Sequence, residues 1–124
     1  MTKGEIAENY FRNGYNCSQS VALAFCEEMN LTEDVVEKLM IGFGAGMGRM
    51  REVCGTISAM TFVISAIYGN KSKAEVYEMA QKCAKEFEKE NGSIVCRTLL
   101  GVETKGADTP TPEKRTENYY KKRP

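Results

Sequence analysis

The sequence predicts an all-α, single-domain helical bundle of five to six helices around a buried central helix. Three observations carry this. Almost every segment repeats its apolar residues at helical spacing, and none alternates apolar and polar residues for long. One segment, Cys54 to Tyr68, is apolar nearly all round, as a helix at the middle of a bundle is. The chain has 124 residues of which 42% are hydrophobic, enough for one core without staples.

The first helix is predicted from Thr2 to Phe11, with Ile6, Ala7, Tyr10 and Phe11 on its apolar face and Asn13-Gly14 ending it. The second begins at Asn16, which forms a variant capping box with Gln19. Its first helical residue is Cys17, and it stops near Asn30. Thr32 caps the third, with Glu33 and Asp34 in the first turn, where the helix dipole favours acid. Val35, Val36, Leu39, Met40 and Phe43 are its expected apolar stripe. A glycine-rich stretch, Gly42 to Gly48, and a charged link, Arg49 to Glu52, lead to the fourth helix, about Cys54 to Tyr68.

The fifth helix, Ser72 to about Lys89, is amphipathic, with Val76, Met79, Ala80, Cys83 and Phe87 on one face. A short sixth starts at Ser93 and carries Cys96, Leu99 and Leu100. The division expected is a helical domain over residues 1–101 and a polar C-terminal tail over 102–124. That tail is either docked on the domain or disordered, with Tyr119 and Tyr120 as a candidate anchor.

Lys+Arg and Asp+Glu are equal at 17 each, which argues against a nucleic-acid footprint. The N-terminal residues carry no apolar signal region, and the uncharged stretch Val53 to Asn70 is rich in small polar residues for a membrane span. The expected location is cytoplasmic, and an odd count of five cysteines suits a compartment where structural disulfides are rare.

The chemistry on offer is sulfur chemistry, because the chain has no histidine. Cys26 and Cys83 fall mid-helix on apolar faces and read as small core residues. Cys17, Cys54 and Cys96 fall at helix starts, where unpaired N–H groups and the dipole favour a thiolate. Arg49, Arg51 and Arg97 are candidate cations, and Cys54 is the expected nucleophile because Arg49 and Arg51 lie just before it. No C-x-x-C occurs, so zinc ribbons, ferredoxin-like runs and thioredoxin-type motifs are excluded, and any site is assembled by the fold. Glycines at 42, 44, 46 and 48 fit neither G-x-G-x-x-G nor a P-loop. They serve close packing, or they thin the backbone so that a ligand or a helix approaches the cysteines. On the second reading Gly46, Gly48, Arg49 and Gly55 are candidate cofactor-binding residues.

Four segments in order, Asn16-Cys17-Ser18-Gln19-Ser20-Val21, Gly42 to Gly48, Cys54-Gly55-Thr56-Ile57-Ser58-Ala59 and Cys96-Arg97-Thr98-Leu99-Leu100-Gly101, resemble the family named "putative redox-active C-GCAxxG-C-C". The resemblance covers about residues 1–101. It implies a small helical bacterial or archaeal protein that acts in redox or holds a metal or iron–sulfur group. Cys17, Cys54 and Cys96 carry over as site residues. The sequence departs from the family where its central motif ends in glycine, here Ala59 or Met60, and in having no cysteine after Cys96.

Two functions therefore share the same sulfurs. In one, thiol/disulfide exchange links two of them and the third resolves the bond, with an unidentified redox partner or small ligand. In the other, the three thiolates hold a metal with an open position. The alternative to both is a helical interaction module, such as a homodimer, whose cysteines only pack.

Overall fold

In a computed structural model the protein is all-helical, and the structure describes residues 1–101, 110–112 and 115. Seven α-helices are present among these: α1 (Lys3–Arg12), α2 (Cys17–Leu23), α3 (Cys26–Met29), α4 (Glu33–Met40), α5 (Gly55–Tyr68), α6 (Lys73–Asn91) and α7 (Cys96–Leu100). A 3₁₀ turn, Ile41–Phe43, follows α4. The tail expected over 102–124, with Tyr119 and Tyr120, lies largely outside the described residues.

Most helix starts are dictated locally. Thr2 and Glu5 form a capping box on α1, and Asn16 and Gln19 form the expected one on α2. Thr32 caps α4 through the Val35 N–H, and Ser72 caps α6 through the Glu75 N–H. The count rises above six because the segment expected as one helix from Asn16 to Asn30 breaks at Ala24-Phe25. Asn30 then ends α3 in the left-handed conformation that asparagine tolerates.

The core is built where α2 meets α4 and α5. Ala22, Leu23, Met29, Val36, Met40, Ala59 and Val63 form one buried cluster, bordered by Tyr10, Phe25, Phe43 and Phe62. Two expectations need correcting. Val35 and Leu39 were expected in the apolar stripe of α4 but are 42% and 53% exposed, because the residues that α4 buries are Val36 and Met40. The central helix α5 is buried at Gly55, Ile57, Ala59 and Val63, but its last turn, with Ile67 and Tyr68, emerges into solvent. α6 presents the expected face, with Val76, Met79, Ala80, Cys83 and Phe87 each half-buried. Among the described residues no helix is long and apolar enough to cross a membrane.

The sixth predicted helix starts later than expected. Val95, just before Cys96, is extended and makes an isolated antiparallel bridge with Val53. The Cys54 N–H donates to the Ile94 carbonyl at 2.7 Å, and the Cys96 N–H donates to the Glu52 carbonyl at 2.6 Å. This pairing fastens the starts of α5 and α7 to each other.

Candidate functional site

Each of the three singled-out cysteines stands at a helix start. Cys17 is the first residue of α2, Cys96 is the first residue of α7, and Cys54 is the residue before α5. In an antiparallel pair successive side chains point to opposite faces. Val53 is 36% exposed, whereas Cys54 and Cys96 are both buried. The bridge therefore turns these two sulfurs to the inner side together. Cys17 reaches them from α2, and its sulfur presses on Gly55, where a Cβ would lie 2.4 Å from Cys17 Sγ. All three cysteines line one cavity of about 720 Å³, and all five in the chain are free thiols.

The segment between α4 and α5 shapes the floor of this cavity. Ala45, Gly46, Met47, Gly48 and Arg49 all have positive φ, and so does Arg51. Left-handed backbone costs a non-glycine residue roughly 1–2 kcal/mol. The turn is held by the Arg49 N–H on the Gly44 carbonyl at 3.2 Å and the Glu52 N–H on the Gly46 carbonyl at 2.9 Å. Its result is chemical: the Ala45 N–H donates to Cys17 Sγ at 3.4 Å, and the Arg51 guanidinium lies 3.8 Å from Cys96 Sγ. Arg51 is only 4% exposed.

Desolvation by burial pushes the Cys17 thiol up from its ordinary value, against the pull of the Ala45 N–H. Nearby Cys54 and Cys96 push it the same way, since negative charge on one sulfur opposes charge on the next. The expected preference for a thiolate at Cys17 is thus opposed, because burial outweighs the backbone N–H groups of Ala45 and Ser18. Cys26 and Cys83 sit apart on their own helix faces, half-buried, and burial raises both thiols as well.

The candidate cations separate. Arg51, a candidate cation for Cys54, lies beside Cys96, and its backbone is in the left-handed region. Arg97 pairs with Glu52 at 3.3 Å. Arg49 donates to the Thr111 carbonyl. Among the glycines, Gly46 abuts Cys96, where a Cβ would lie 2.6 Å from that of Cys96. Gly48 has open space, its nearest neighbour being the Gly42 carbonyl at 3.6 Å. At this loop the cavity wall itself is made by Ala45 and Arg51.

Sequence reasoning did not find the Ala45 N–H, nor Ser20, nor the walls that α1 and α6 give the cavity through Ala7, Phe11 and Phe87. Ser20 stands one turn beyond Cys17, a spacing that puts both on one face of α2 and could have revealed it.

A metal or iron–sulfur group would need a cage of donors. The chain has no histidine, and among the described residues no group of three or more His, Cys, Asp or Glu side chains is arranged to hold a metal ion. The cation already beside Cys96 is a guanidinium. These residues, as arranged, do not fit such a group, so the metal expectation for Cys17, Cys54 and Cys96 gains no support from the geometry.

Fold and site together describe a small helical protein that gathers cysteines from separate helix starts around one cavity. The family model described as "Putative redox-active protein (C_GCAxxG_C_C)" matches residues 15–124, and the chain belongs to this family. No match was found among curated proteins or among solved structures.

Proposed function

We propose that the protein is a thiol–disulfide redox protein in which Cys96 attacks and Cys54 resolves. The observation that carries this reading is the buried Arg51 guanidinium, 3.8 Å from Cys96 Sγ in the cavity that all three cysteines line. A cation beside a sulfur in a partly enclosed site is what activates a nucleophilic cysteine. The Cys96 thiolate attacks one sulfur of a substrate disulfide, forming a mixed disulfide and releasing one substrate thiolate. Cys54, on the same side of the backbone bridge, then attacks Cys96 sulfur and releases the second. The protein loses two electrons, the substrate gains them, and the two thiol protons pass to the leaving thiolates. Cys17, held protonated by its surroundings, keeps the cluster from carrying several negative charges at once. Gly46 and Gly55 serve by letting the sulfur-bearing segments close on each other.

Mild oxidation with hydrogen peroxide, followed by alkylation and peptide mass spectrometry with and without reductant, tests the proposal. A Cys54–Cys96 linkage that reductant reverses is the expected product. A linkage through Cys17 would reassign the resolving role, and absence of any linkage among the three would overturn the proposal.

A further inference from the structure

The walls of the sulfur-lined cavity say more about what enters it. Its interior is apolar, with Phe11 and Val21 on one side and Phe87, Leu99 and Leu100 on the other. Its volume of about 720 Å³ falls in the range of small-molecule sites. Cys54 and Cys96 are 9% and 7% exposed, too recessed for the disulfide of a folded protein to reach. Exposed Glu8, Arg12 and Glu90 give the rim both signs of charge, and the buried charge among the described lining residues, the Arg51 guanidinium, faces Cys96 Sγ.

One further group is unexplained by the protein alone. Ser20 lines the same cavity, is 2% exposed, and its hydroxyl has no hydrogen-bond partner among the described residues. A buried hydroxyl without a partner is unfavourable, and such a group calls for a ligand or a water. It stands one turn from Cys17, so a molecule placed against the sulfurs lies within its reach.

We infer that the cavity takes a small, uncharged disulfide with an apolar arm and one carbonyl group, whose oxygen accepts a hydrogen bond from Ser20. This rests on the thiol–disulfide reading above and names its substrate class. The exchange is balanced as written there: the ligand's S–S bond breaks, the Cys54–Cys96 bond forms, and the ligand leaves as thiols carrying both protons.

Single-turnover oxidation of the reduced full-length protein tests the inference, with Cys54–Cys96 formation followed by mass spectrometry after acid quench. Four oxidants are compared: lipoamide (apolar arm, amide carbonyl), dipropyl disulfide (apolar, no carbonyl), oxidised glutathione (small, charged) and insulin (a protein disulfide). Each rate is divided by that of N-acetylcysteine with the same oxidant, which removes intrinsic reactivity. Lipoamide is expected to exceed glutathione and insulin by at least about tenfold on this scale, or about 1.4 kcal/mol in barrier. Ser20→Ala is expected to slow lipoamide severalfold, leave dipropyl disulfide unchanged, and keep or raise the melting temperature, since it removes an unpartnered hydroxyl. Equal or faster normalised reaction with glutathione or insulin would overturn the substrate class and leave the redox reading standing. A Ser20→Ala variant that treats lipoamide and dipropyl disulfide alike would overturn the carbonyl contact. If neither these oxidants nor peroxide forms any linkage, the redox reading falls and the inference with it.

Discussion

The sulfur of Cys17 occupies the space where a side chain on Gly55 would begin. A Cβ on Gly55 would stand 2.4 Å from that sulfur, 3.0 Å from the Phe43 carbonyl oxygen and 3.2 Å from the Ser18 nitrogen. Two helix starts are thereby locked face to face, with a cysteine as the key and a glycine as the slot.

Gly55→Ala should accordingly destabilise the protein by about 2–3 kcal/mol, the scale of an overpacked core. Combining it with Cys17→Ala should restore part of that loss, because the tightest contact is the sulfur. Urea denaturation of the two single variants and the double variant checks this. Additive losses would show that Cys17 and Gly55 do not interact.

The left-handed turn predicts a contrast between neighbouring substitutions. Gly46→Ala meets both a φ of +76° and the Cβ of Cys96 and should cost about 2–4 kcal/mol. Gly48→Ala meets only the φ of +59° in open space and should cost about 1 kcal/mol. Met47→Gly, at a φ of 67°, should stabilise by up to about 1 kcal/mol by removing strain. Thermal melts of the three variants give the ranking, and a Gly48 variant as damaged as the Gly46 variant would contradict it.

For Cys17 the sign of the pH effect follows from its raised titration. The fold favours the neutral thiol, so its contribution is fully present below the ordinary value of 9.0 and is lost as pH rises through the higher folded value. The stability difference between the parent and Cys17→Ala should therefore shift in favour of the variant between about pH 8 and pH 10.5. Denaturation at both pH values checks it, as does slow alkylation of Cys17 at neutral pH in native protein.

Arg51→Gln removes the guanidinium beside Cys96 and should slow modification of Cys96 by iodoacetamide on the order of tenfold, or about 1.4 kcal/mol in barrier. The rate at Cys83, which lies outside the residues lining the cavity, should not change. Peptide-resolved mass spectrometry reports both in one sample.

Arg115 offers a separate test, at the C-terminal end of α1. Its guanidinium donates to the Phe11, Gly14 and Tyr15 carbonyls, the last at 2.8 Å, and lies 4.6 Å from the centre of the Phe11 ring. Cations favour helix C-termini, so Arg115→Ala should lower stability by about 1–2 kcal/mol in urea denaturation.

How much of this was legible beforehand depends on the range of the interaction. Caps at Asn16 and Thr32 act over three residues, and the sequence displays them directly. In the sequence, the gathering of Cys17, Cys54 and Cys96 rests on three helix starts and a family resemblance, since no local spacing links them. Adjacency along the chain points Arg51 toward Cys54, and nothing local announces its approach to Cys96 from a left-handed backbone. No propensity anticipates arginine in that conformation. The exposure of Val35 and Leu39 was equally hidden, because an apolar stripe does not say how much of it a neighbour covers.

The backbone pairing of residues 52–54 with 94–96 also sets an order of events during synthesis. Cys17 and Cys54 leave the ribosome well before the segment that completes their surroundings. Until the segment around Ile94 to Cys96 emerges and docks, Cys54 lacks the carbonyl that accepts its N–H, and Arg51 lacks the sulfur beside it. The proposed thiol chemistry would thus be withheld from the nascent chain until α7, the last described helix, has been made.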